Sequence, residues 1–184
     1  MSDEQTPSVL RLRKRHSPSE HAKPTAEDGA RLVRAQSVRQ ALMAALIVIT
    51  VFAILWSMLS DAMNRIFPWM PLLLGMLVGL AVRRAGLGLD WRFPTIAATF
   101  TIIGSFVGRV VIAASVAAEE LGTGTLDVLM KMSSFTLPTF FAEQINAADY
   151  IYAIFAAMIA GVYAKRRLNR RQFHAIRLWE ERDD

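Results

Sequence analysis

Four apolar stretches, residues 41–59, 66–82, 93–118 and 147–164, interrupt an otherwise charged chain. Each approaches the ~20 residues that carry a helix across ~30 Å of hydrocarbon. The apolar residues are clumped into blocks instead of recurring at the period of an amphipathic helix or a half-buried strand. With 184 residues and 53% hydrophobic content the chain has the size of a soluble domain, yet these blocks leave no polar face for water. The expected fold is therefore all-α: an integral membrane four-helix bundle with an outer interfacial helix and cytoplasmic tails. The second stretch is the shortest, and Arg83 and Arg84 at its end extend it by reaching the headgroups on aliphatic stems.

The charges assign sides. Of 21 Lys and Arg residues, eight lie in the N-terminal segment from Arg11 to Arg39, three are Arg83, Arg84 and Arg92, and seven run from Lys165 to Arg182. Only Arg65 and Lys131 occupy the alternate segments, and Arg109 lies within the third stretch. Short basic loops stay in the cytoplasm, which places both termini and residues 83–92 inside and residues 60–65 and 119–146 outside. Trp56 and Trp69 fall near the outer boundary and Trp91 near the inner one, as amphipathic rings prefer. The expected home is a bacterial inner (plasma) membrane. Although the net charge is +5, the positive residues sit beside membrane ends and not along one soluble face. The expected partners are thus membrane lipids, including anionic headgroups, and other membrane subunits, with no nucleic acid.

Residues 1–25 carry almost no apolar content and read as a disordered cytoplasmic tail, including the basic cluster Arg11, Arg13, Lys14 and Arg15. The polar first ~38 residues leave targeting to the first span. Residues 26–168 form the four-span domain. Its beginning shows Leu32, Ala35, Val38 and Leu42 at helical spacing and Glu27 four before Arg31, so a helix is expected along the inner surface into span one. Residues 169–184 form a basic amphipathic tail in which Phe173, Ile176 and Trp179 make a stripe, the expected partner surface. In the outer segment, Gly122-Thr123-Gly124-Thr125 followed by Asp127 predicts a helix over 125–134. Its Met130 and Met132, with Phe135, Phe140 and Phe141, either rest on lipid or line a groove.

Small residues recur at spacing four: Gly75 and Gly79, Gly104 and Gly108, then Ala153, Ala157 and Gly161, alongside Ala156, Ala160 and Ala164. Such ladders let helices approach closely, within one chain or between copies in a homo-oligomer. Arg109 is the ionisable residue deepest within a span. It lies ~24 Å from the inner boundary at ~1.5 Å per residue, close to the outer one. Two roles are open to it: an anchor paired with Asp149, Glu119 or Asp61, or a site for an ion or anionic substrate. Thr95, Thr99, Thr101 and Ser105 either line a polar path or bond their own helix's carbonyls.

Chemistry is sparse. The chain has no cysteine, and its histidines, His16, His21 and His174, all lie in the tails, so no catalysis, cofactor or metal is expected.

The run Gly75-Met-Leu-Val-Gly79-Leu-Ala-Val-Arg83-Arg84-Ala-Gly86, a short loop, a Thr-rich third span and a fourth span ending near Tyr163-Ala164 resembles a loose group of small uncharacterised bacterial four-span inner-membrane proteins. The resemblance covers residues 40–168 and rests on packing motifs; it implies the span count and no activity. The expected function is a non-catalytic accessory or scaffold subunit of a membrane complex. The alternative is a small oligomeric transporter or channel using Arg109 and the polar face of span three.

Overall fold

The computed structural model describes residues 23–65, 67–131 and 145–183, and seven helices occur among them, with no strand. They are α1 (Ala26–Arg34), α2 (Val38–Met63), α3 (Met70–Gly86), α4 (Arg92–Leu121), α5 (Thr125–Lys131), α6 (Ala147–Ala164) and α7 (Arg170–Asp183). The N-terminal basic cluster and residues 132–144 lie outside the described residues.

Local chemistry sets the ends. Thr25 caps α1: its Oγ1 accepts from Asp28 N at 3.4 Å, while Thr25 N donates to Asp28 Oδ2 at 3.1 Å. This capping box uses Asp28, and Glu27 and Arg31 do not form the expected ion pair. The continuous helix expected from residue 26 into span one is interrupted at 35–37. Ser37 N donates to Gly86 O at 3.0 Å and Gln36 Oε1 accepts from Leu89 N at 3.1 Å, so the break is fixed by the distant α3–α4 loop. Ser37 Oγ then caps α2 by accepting from Gln40 N at 3.3 Å. At its other end α2 stops on Asn64, whose φ of 48° is left-handed, as asparagine tolerates.

Three helices, α2, α4 and α6, are long and apolar enough to cross a membrane. The remaining expected span, α3, has 17 residues, and its arginines Arg83 and Arg84 belong to its last turn. The helix expected at 125 does begin there, and its described part runs to Lys131.

α3 and α4 each pack against all the other long helices, while α2 and α6 do not touch among the described residues. The core is built from small side chains, Ala41 and Ala45 of α2, Ala97 of α4 and Ala160 and Ala164 of α6, closed by Leu74, Val78, Val82 and Phe93. The large apolar residues point the other way. Leu55 and Met58 on α2 and Phe155 and Val162 on α6 are between 53% and 69% exposed, an outward surface rare on soluble monomers. Small inside and large outside is how helices pack when lipid, not water, surrounds them.

Trp56 is 1% exposed, its ring turned inward between the helices. Trp69 and Trp91 are 45% and 75% exposed, in keeping with interfacial rings.

Candidate functional site: the ends of the helix cluster

At one end Arg109, in the second half of α4, reaches the first turn of α6. Its Nη2 donates to Asp149 Oδ2 at 2.5 Å, and the two side chains are 15% and 8% exposed. The same carboxylate oxygen accepts from Asn146 N at 3.0 Å, so Asp149 both caps α6 and neutralises Arg109. Because Asp149 stands in the first turn of a helix of 18 residues, the pair lies at the end of that helix and not at its middle. Asp149 was one of three acids the sequence offered. Of the other two, Asp61 Oδ1 lies 3.1 Å from Ser115 Oγ, whose proton it shares with Ile112 O at 2.8 Å. One polar contact ties α4 to α6, the other ties it to α2.

The polar face expected on α4 does not form as a unit. Thr95 and Thr99 are exposed, whereas Thr101 and Ser105 are buried. Thr95 Oγ1, Thr101 Oγ1 and Ser105 Oγ donate to the carbonyls of Trp91, Ala97 and Thr101 at 3.0, 2.7 and 2.8 Å. Each is satisfied within its own helix. Nearby, Trp56 Nε1 and Ser60 Oγ are buried without a hydrogen-bond partner among the described residues.

The small-residue ladders meet within the chain. A Cβ at Gly75 would stand 2.3 Å from Ala156 O, and one at Gly79 would stand 2.6 Å from Ala160 O, so α3 presses its glycines onto the backbone of α6. The partner ladder on α6 is Ala156, Ala160 and Ala164, each fully buried. The other ladder is weaker: Ala153 and Ala157 are buried, but a Cβ at Gly161 would meet only Pro94 O, at 3.8 Å. Gly104 and Gly108 of α4 differ in kind. They receive side chains, Ile49 at 2.9 Å and the Trp56 ring at 2.7 Å, and not a backbone.

At the opposite end the basic segments gather. The 36–37 junction, the α3–α4 loop and the segment after α6 are joined by the two contacts already given and by Arg166 Nη1 donating to Leu87 O at 3.4 Å. Beside them α1 packs on α7, meeting so closely that a Cβ at Gly29 would lie 2.2 Å from Ala175 O and 2.8 Å from Trp179 Cβ. The C-terminal stripe is thereby divided. Ile176 and Trp179 are half-buried on the same side as buried Ala175, while Phe173 remains 58% exposed. Gly29 and Ala175 were not singled out from sequence; the available signal was a glycine tolerated inside an amphipathic helix, which implies close approach.

Asp28, on α1, has its carboxyl held below the usual range, first by the hydrogen bonds from Thr25 and then by the neighbouring Arg31 and Arg171. No metal-ligand group of three or more His, Cys, Asp or Glu assembles among the described residues.

Comparison of the chain with family models, with curated proteins and with solved structures finds no match.

Proposed function

We propose that the chain is a non-catalytic, four-span inner-membrane protein that serves as an accessory or scaffold subunit. In this reading α3 is the fourth crossing. Its 17 residues extend ~25 Å at ~1.5 Å per residue, which arginine snorkelling and the packed neighbours complete. The end holding α1, α7 and the 83–92 loop faces the cytoplasm, following the bias of Lys and Arg.

The observation that carries the accessory reading is the state of the polar groups of α4. Arg109 is neutralised by Asp149, and Thr101 and Ser105 are spent on their own helix's carbonyls. An ion or substrate path needs polar groups free to exchange partners along a helix. What this protein presents instead is a clasped pair of helices, α1 and α7, with exposed Phe173 and Leu178.

The test replaces both charges together, Arg109→Met with Asp149→Leu. A buried pair exchanged for apolar residues is often neutral for stability. The accessory reading expects the folded double variant to retain its migration in a large native-gel complex and its cellular phenotype. Gly29→Leu, which parts α1 from α7, should release it from that complex. A folded double variant that loses the phenotype, with Gly29→Leu unaffected, would instead establish the transporter reading.

A further inference from the structure

The basic end of the molecule contains a groove of about 440 Å³ where the end of α3 meets the segment after α6. Arg83 and Arg84 line it from the last turn of α3, Arg166 and Arg167 from the other side, with Leu80 and Gln172. No carboxylate lies among the lining residues, and none of the four arginines forms an ion pair among the described residues. A second groove, between α1 and α7, has Lys23 and Arg31 but includes Asp28, which supplies its own counter-charge. The arginine groove has no such internal neutralisation.

The frame of the groove is held at its two sides. Arg166 is half-buried and anchored to Leu87 O at 3.4 Å. Leu87 itself has a φ of 49°, a left-handed conformation that costs a leucine roughly 1–2 kcal/mol. Arg83 and Arg84 are carried by α3, whose Gly75 and Gly79 press on α6, and Arg166 follows two residues after α6 ends at Ala164, so a backbone contact holds the two sides of the groove near each other. The level is also defined. The apolar run of α3 ends at Val82 and that of α6 at Ala164, so both arginine pairs begin where hydrocarbon gives way to headgroups.

We propose that this groove is a binding site for the phosphate of an anionic membrane lipid. Planar guanidinium forks match phosphate oxygens in pairs, and concentrated arginines at the cytoplasmic boundary are the chemistry that selects anionic headgroups. Leu80 supplies an apolar wall for the start of an acyl chain. The site rests on the membrane placement given above.

The experiment uses the full chain reconstituted into phosphatidylcholine vesicles containing ~10% phosphatidylglycerol or cardiolipin, extracted gently, and analysed for retained lipid by native mass spectrometry. Arg167→Gln should lower retention of the anionic lipid about tenfold, and Arg84→Gln with Arg167→Gln about a hundredfold, taking one charge-assisted bond per arginine. Arg39→Gln with Arg92→Gln removes the same charge elsewhere at that end and should change retention by less than about twofold. Equal losses in the two double variants would overturn the site in favour of diffuse surface attraction. Displacement of the lipid by 10 mM inorganic phosphate, at about equal occupancy, would overturn the lipid in favour of a soluble phosphate. A chain that fails to float with the vesicles at all would refute the membrane placement and the site together, whereas flotation with unselective retention refutes only the site.

Discussion

Replacing Gly75 by alanine isolates the contact on which the long helices depend. The added Cβ would lie 2.3 Å from Ala156 O and 2.9 Å from Ala156 C. An ordinary carbon–oxygen contact is about 3.3–3.6 Å, so α3 and α6 must part by roughly 1 Å. A gap of that size forfeits up to about half of the dispersion energy of each contact it opens. With on the order of 40 atom pairs at ~0.15 kcal/mol each and about a third of their energy lost, the penalty is ~2 kcal/mol. That matches the cost of overpacking a filled interior, about 1–3 kcal/mol. Gly161→Ala is the control, because its Cβ would meet nothing nearer than Pro94 O at 3.8 Å. Both substitutions gain the same helix propensity, at most about 1 kcal/mol, so their difference reports the contact alone. Reversible unfolding in mixed micelles, followed by far-ultraviolet circular dichroism, should place Gly75→Ala about 2 kcal/mol below Gly161→Ala. Equal stabilities would refute the close backbone crossing.

Gly104→Ala should cost less than Gly75→Ala in the same assay, because it meets the Ile49 side chain and not a backbone, and Ile49→Ala, which removes both crowding γ carbons, should recover part of the loss. Asp149→Asn should cost about 3 kcal/mol by stranding Arg109, and Arg109→Met with Asp149→Leu should regain most of it; losses that simply add would contradict the pairing. Since the Asp28 carboxyl is held below its ordinary range in the folded protein, its capping contribution is complete above that range and fades as pH falls through the lowered value. Amide protection in α1, taken relative to the intrinsic exchange rate at each pH, should therefore fall on acidification below about pH 4 and lose that response in Asp28→Asn. Thr123→Cys should react with an impermeant thiol reagent on intact cells while Gln172→Cys is protected, and the reverse pattern would invert the assigned orientation.

Elements bounded by their own residues were legible in the sequence. The span at 147–164 coincides with α6 because Asp149 caps it from within and Lys165 ends its apolar run. Arg109 could be narrowed to three acids by depth, and Asp149 is the one it meets. What stayed hidden depends on distant parts of the chain. The break at 35–37 carries neither Gly nor Pro, and its bonds go to Gly86 and Leu89. A ladder of small residues announces a close approach without naming its partner, so the pairing of Gly75 and Gly79 with Ala156 and Ala160 could not be read. Trp56 looked interfacial by position, and only the vacancy above Gly108 explains its burial. Thr95, Thr99, Thr101 and Ser105 seemed one polar face, yet their spacing spreads them over exposed and buried sides of α4.

The meeting of Gly29 with Ala175 has a consequence in time. The two residues are 146 positions apart, and the second cannot exist until all the helices between them have been made. At ~5–20 residues per second, α1 waits ~7–30 s after its own synthesis for its partner. During that interval its amphipathic face is open to membrane or chaperone. By then the packed helices have already brought the two ends of the chain to one side, so the late contact needs little further loss of chain entropy. Closure of α7 over α1 therefore follows the synthesis of every helix between them, and a chain truncated before Trp179 leaves the apolar face of α1 uncovered.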